Sequence, residues 1–294
     1  VLTRGGLGNE VRVINWDDEN LGTRGGSSLF QWPVALLVDE EENLYVSDEA
    51  NHKIVIMDME GEHIRSFGEQ GSETGKMDRP SGMVFDAEGN IIVSDTVNNR
   101  IQRFTREGEL LQCFGEPGTD EGALSMPWGV TVDQSGDIYV ADWKNDRVQK
   151  FTSEGDFLMS IGTTGSEKGE FLRPTSVAVD AHGDIYISDW QNDRVQLFNK
   201  DGRYIQSFHG NASLSESGKQ YILANKVTLR LREMGDFEKT QRLNAPMTVK
   251  VDDQFRLFIT DFGNHRIQIY QKDAVALSED DIAPRMRNPI LFTT

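Results

Sequence analysis

Cysteine is almost missing from this chain of 294 residues. Cys113 is the sole example, so neither an intramolecular disulfide nor a multi-cysteine metal site can form. Beside Phe114 it reads as a core residue, which suits a reducing compartment, although a large β domain needs no covalent staple. Long apolar runs are also missing, and no window approaches a membrane span. Positive charge is short: 30 Lys and Arg stand against 48 Asp and Glu, for a formal charge of −18. A field of that sign repels phosphate backbones and anionic headgroups, which sets nucleic acid and membranes aside as partners and points to a soluble, monomeric domain. No glycine-rich phosphate loop and no G-x-S-x-G elbow appears, so two large enzyme classes lose their signature. The chain opens on Val1-Leu2-Thr3 rather than on Met. A lost leader therefore leaves both a cytoplasmic and a secreted location open.

What is present is repetition. Asp142-Trp143-Lys144-Asn145-Asp146-Arg147-Val148-Gln149 returns 47 positions later as Asp189-Trp190-Gln191-Asn192-Asp193-Arg194-Val195-Gln196. The same interval backward reaches Asp95, Asn98 and Arg100, then Asp48, Asn51 and Lys53; a longer step forward reaches Asp261, Asn264 and Arg266. Pro33, Pro80, Pro127 and Pro174 keep the 47-residue register, as do Phe67, Phe114, Ile161 and Phe208. A period of this size marks units too small to bury their own apolar faces, which bury them against their neighbours.

Within one unit the hydrophobic period is two. Val130–Asp133, Ile138–Asp142, Arg147–Phe151 and Phe157–Gly162 read as four short antiparallel strands, a to d, separated by turns at Ser135-Gly136, Asn145-Asp146 and Glu154-Gly155. Pro246 opens the fifth unit 25 positions late. The extra residues fall within 211–242, where Leu223, Val227, Leu231 and Met234 space as an amphipathic helix stopped by Gly235. Alternation in Val227-Thr228-Leu229-Arg230-Leu231 also permits a strand. The N-terminus supplies a degenerate sixth unit, whose strand a would come from Pro289-Ile290-Leu291-Phe292-Thr293 and close the ring. The expectation is a single domain over 1–294 with blades near 1–26 plus 286–294, 30–68, 77–115, 124–162, 171–210 and 243–278, and a helical insertion at 211–242.

These units resemble the NHL-repeat family, through phrases such as Asn264-His265-Arg266-Ile267-Gln268-Ile269 following Leu257-Phe258-Ile259-Thr260-Asp261. The resemblance implies an all-β, six-bladed β-propeller of four-stranded antiparallel blades, which agrees with the unit count. It does not fix function, since the fold is shared by protein-binding scaffolds, sensor domains, RNA-binding domains and a few enzymes, among them a metal-dependent amidating peptide lyase.

The chain direction places the b–c turns and the d–a connections on one face, here the top. The residue after each repeated Asp is displayed there: Glu49, Thr96, Trp143, Trp190 and Phe262. Residues flanking the opening proline, Trp32, Arg79, Trp128 and Arg173, ring the same mouth. Aromatic side chains gathered on one face mark a binding surface, and the arginines would orient a carboxylate or phosphate; the competing reading is that the rings only pack against neighbouring loops. The repeated Asp residues read as structural, because every unit has one and each can accept its own turn's N–H groups and pair with the base five residues on. Their spacing is not that of a calcium loop. His52, His209 and His265 lie toward the top and are the candidate ligands for a divalent metal, Ca or Zn; His209 stands where other units have Gly and is also a candidate general base. Two functions follow. One is a binding module whose aromatic, partly lidded top face takes a peptide, a protein or a small ligand. The alternative is a hydrolase or lyase with a central top-face pocket.

Overall fold

The computed structural model describes residues 2–3, 8–15, 19–212 and 241–272. Each unit becomes a twisted antiparallel sheet in which consecutive strands pair. Blade 1 comprises Pro33–Val38, Leu44–Asp48, Lys53–Met57 and His63–Phe67, its strands a to d. Blades 2 (Pro80–Phe85, Ile91–Asp95, Arg100–Phe104, Leu110–Phe114), 3 (Pro127–Val132, Ile138–Asp142, Arg147–Phe151, Phe157–Ile161) and 4 (Pro174–Val179, Ile185–Asp189, Arg194–Phe198, Tyr204–Phe208) repeat that order. Blade 5 shows strands a to c, Pro246–Val251, Arg256–Asp261 and Arg266–Gln271.

Among the described residues the expected six four-stranded blades are not found. Five blades carry the repeat. The N-terminal stretch makes a three-stranded sheet from Leu2–Thr3, Glu10–Ile14 and Asn20–Arg24, without the Asp-x-x-Asn turn or the opening proline that define a blade, and Val11 is its one buried hydrophobic residue among those described. The expected helical insertion at 211–242 is not among the described elements. The described elements are strands and three single 3-10 turns, and residues 213–240, on which the helix was placed, lie outside the described residues, as do the closing residues 286–294.

Strands b and c carry most of the buried residues, because apolar layers cover them on both faces. Four cores lie between consecutive blades. In that between blades 3 and 4, Tyr139, Val148 and Ile161 meet Phe171, Ile187 and Phe198. Full burial of each such side chain is worth about 1.5–3 kcal/mol, which is how units of this size stand together though none would alone. A fifth core joins Val11 to Phe30, Val46 and Met57 of blade 1.

The inner strands approach closely. A β-carbon on Gly129 would lie 2.6 Å from the Thr175 carbonyl oxygen, so a side chain there would push blades 3 and 4 apart. Buried hydroxyls tie the same level: Ser47 Oγ donates to Ser81 O at 2.7 Å, and Thr175 Oγ1 donates to Met247 O at 2.8 Å. From blade 5, the Lys250 ammonium donates to Leu36 O of blade 1 at 3.4 Å.

Candidate functional site

The top face is built on a knot that repeats. Asp142 is fully buried and its carboxylate accepts from the Ser125 amide at 2.7 Å, Asn145 Nδ2 at 2.9 Å, Arg147 Nε at 2.8 Å and Gln149 Nε2 at 3.1 Å. Arg147 then donates to the carbonyls of Asp120 and Ala123, and Gln149 to Ala123 O, which fastens the incoming d–a connection. Asp95, Asp189 and Asp261 are held the same way. Burial pushes the Asp95, Asp142 and Asp189 carboxyls above the ordinary value, against the pull of hydrogen bonds from the neighbouring amides, Asn and Arg. With every oxygen engaged, these carboxylates hold the turns and are not presented to a ligand.

A second device joins the blades at their top edges. The residue after the turn's Asn takes a left-handed conformation in each blade: His52, Asn99, Asp146, Asp193 and His265, with φ between 52° and 55°. In blades 1 to 4 its side chain accepts the amide of the residue before the next blade's proline. The pairs are His52 Nδ1 with Arg79 at 3.1 Å, Asn99 Oδ1 with Met126 at 2.8 Å, Asp146 Oδ1 with Arg173 at 2.8 Å and Asp193 Oδ1 with Ala245 at 2.7 Å. Arg79, Met126, Arg173 and Ala245 also have positive φ, a strain of about 1–2 kcal/mol per residue that the clasp helps to hold.

On this frame the sequence-predicted residues divide. Trp128, Trp143 and Arg173 come together: the two indoles lie 6.2 Å apart at 38°, and the Arg173 guanidinium stands 4.6 Å over Trp143 while donating to Lys144 O at 2.9 Å. All three are half-buried. Arg79 belongs to another seam, where it pairs with Glu49 at 3.5 Å. Trp190 occupies the turn of blade 4, opposite Ala245 rather than an arginine, and Trp32 and Phe262 are exposed. Asp146 is a site residue that sequence reasoning missed. Its signal was its place in the repeat, since the position after Asn faces the following blade.

The histidines are dispersed. His52 is spent on the seam of blades 1 and 2, where its Nδ1 also lies 3.2 Å from Asp78. His265 stands on blade 5 with its ring 6.5 Å from that of Phe262. His209 follows strand d of blade 4, and burial, then Arg194 and Arg242, hold its pKa below the ordinary value. Among the described residues no three His, Cys, Asp or Glu side chains are grouped to hold a metal ion, and no helix is long and apolar enough to cross a membrane.

Comparison with known proteins agrees with this architecture. A structure of streptogramin B lyase is similar at 11% identity, over 90% of this chain and 77% of that one, with a TM-score of 0.56. A catalytically inactive virginiamycin B lyase from Staphylococcus aureus with quinupristin is similar at 14% identity, over 90% and 88%, with a TM-score of 0.52. A chain of a nidogen/laminin complex is similar at 16% identity, over 89% and 85%, with a TM-score of 0.61. At these identities the likeness is one of fold. No curated protein matches by sequence. The NHL repeat matches residues 77–104 and 124–151, which span strands a to c of blades 2 and 3, so the chain carries NHL repeats in those two blades.

Proposed function

We propose that this propeller is a binding module, and that its top face recognises a peptide, protein or small ligand through the Trp128–Trp143–Arg173 platform. The observation that carries the reading is the platform's place in the repeat. Where blade 2 puts Ser81 and Thr96, both buried and bonded to blade 3, blade 3 puts two half-buried indoles. Aromatic rings backed by an arginine are the side chains that most often dominate a binding interface. Arg173 retains donors beyond those it gives Lys144, and these suit a planar acceptor on the ligand.

The nidogen/laminin complex supports the reading, as a similar fold found in a protein assembly. The lyase neighbours keep a second reading in view, for which His209 is the candidate base, and metal binding to the purified protein tests it directly.

For the binding reading, an array of extended peptides probed with the wild-type chain and with Trp143→Ala is the test. Loss of about 2 kcal/mol, near thirtyfold in Kd, is expected for the peptides the wild type retains. An identical set bound with equal strength by both would remove the platform from the function.

A further inference from the structure

Beside His209 the repeat is broken in a second place. The d–a connections leading into blades 2, 3 and 4 carry a glycine whose amide the repeated Gln accepts: Gly75 on Gln102, Gly122 on Gln149 and Gly169 on Gln196. In blade 2 a β-carbon on Gly75 would touch Leu110 at 3.9 Å, and in blade 3 one on Gly122 would touch Phe157 at 3.6 Å, so connection and strand d close on each other. In blade 4 a β-carbon on Gly169 meets nothing within 4 Å. Beside this connection and the outer strand lies a groove of about 440 Å³, lined by Glu167, Lys168, Arg194, Tyr204, Ser207 and His209 among others. That volume falls within the range of small-molecule sites.

The lining also departs from the repeat toward positive and polar groups. Lys168 stands where the preceding unit has Glu121, Tyr204 where it has Phe157, and His209 where it has Gly162. The Lys168 ammonium lies 5.9 Å over the Tyr204 ring, and the Tyr204 hydroxyl is bonded to Ser207 Oγ at 3.0 Å. Arg194 lies beneath with its donors given to Asp189 and to the carbonyls of Ser166, Glu167 and Glu170; it contributes charge rather than a hydrogen bond. In a chain of net charge −18, such a pocket runs against the field of the whole.

We infer that this groove binds a small anionic ligand, whose phosphate or carboxylate is received by Lys168 and His209 with the Tyr204 ring as its floor. The groups facing His209 are Arg194 from strand c, Arg242 from the approach to blade 5, and Glu167 and Lys168 from the connection. Burial, then Arg194 and Arg242, favour the neutral imidazole, and an arriving anion favours the charged one. Binding therefore takes up a proton and tightens as pH falls through the range in which His209 titrates.

Titration of the full chain with inorganic phosphate, and separately with succinate, followed on the His209 ring resonances by NMR, tests the site. Saturable shifts are expected with at least one of the two, and which one saturates identifies the ligand as phosphate or carboxylate. Lys168→Ala should weaken binding roughly tenfold, while Lys200→Ala, at the far end of the same blade, should leave it unchanged. His209→Gln should keep residual binding and lose its dependence on pH. Absence of saturation with both anions, or equal weakening by Lys168→Ala and Lys200→Ala, overturns the inference.

Discussion

The seam between blades 1 and 2 and the seam between blades 3 and 4 share a backbone and differ in what they display. In both, a left-handed residue of one blade accepts the amide of a left-handed arginine in the next. In the first, that arginine reaches back to Glu49 and forms an ion pair at the surface; in the second it reaches back to Trp143 and stacks, with the Asp146 carboxylate more distant at 4.0 Å. The repeat thus delivers an arginine to the same place twice. One residue of the b–c turn decides whether the result is a neutralised pair, worth little in water, or a cationic edge on an apolar platform.

The largest expected effect comes from breaking what the two seams have in common. Arg147→Ala leaves the fully buried Asp142 without its cation and takes one donor from each of the Asp120 and Ala123 carbonyls, for a loss of about 3–5 kcal/mol. Chemical denaturation measures it. Arg100→Ala in blade 2 should cost about the same, because Asp95 is held by equivalent partners. A loss under about 1 kcal/mol in both would mean that the knot is not what fastens the connections.

Next in size is the clasp. Asp146→Ala removes the acceptor of the Arg173 amide and of Thr164 Oγ1 at 2.9 Å, and it leaves Ala at φ 54°, for about 2 kcal/mol in all. His52→Asn places in the first seam the residue that Asn99 provides in the second, so stability should change by no more than about 0.5 kcal/mol. Thermal unfolding of the two variants side by side checks the pair, and a costly His52→Asn would show that the seams are not interchangeable.

The repeat made most of this fold legible. Strand order, the turn after each Asp and the structural role of the Asp residues all followed from fivefold recurrence, because a residue kept in every blade answers to the backbone. Gln102, Gln149, Gln196 and Gln268 were visible in the same phrase, yet their double task of holding both the carboxylate and the connection was not, since it depends on a contact some 26 residues away. The blade count was overstated for the opposite reason. Leu2–Thr3, Glu10–Ile14 and Asn20–Arg24 alternate as strands should and do form them, but a period of two reports a strand and not the knot that makes a blade. At the candidate site, the meeting of Trp128 with Trp143 could be read from the repeat, but the same reading grouped Arg79 with Arg173. Which arginine meets an indole depends on Glu49 and Trp143 one blade back.

That dependence leads to the smallest and sharpest prediction. Glu49→Trp should convert the first seam into the chemistry of the second, with the Arg79 guanidinium leaving an ion pair and stacking on the new indole. Overall stability should change little, so the effect must be read as coupling. In a double-mutant cycle with Arg79→Ala, the Glu49–Arg79 pair should show a coupling that fades as salt is raised. In the Glu49→Trp background, the coupling of Arg79 to the introduced indole should be about 0.5–1 kcal/mol and should persist. A coupling of equal size and equal salt dependence in both backgrounds would mean that the turn residue does not choose the arginine's partner. The contrast between the two seams would then lie in their surroundings, beginning with Trp128, which has Ser81 in its place on blade 2.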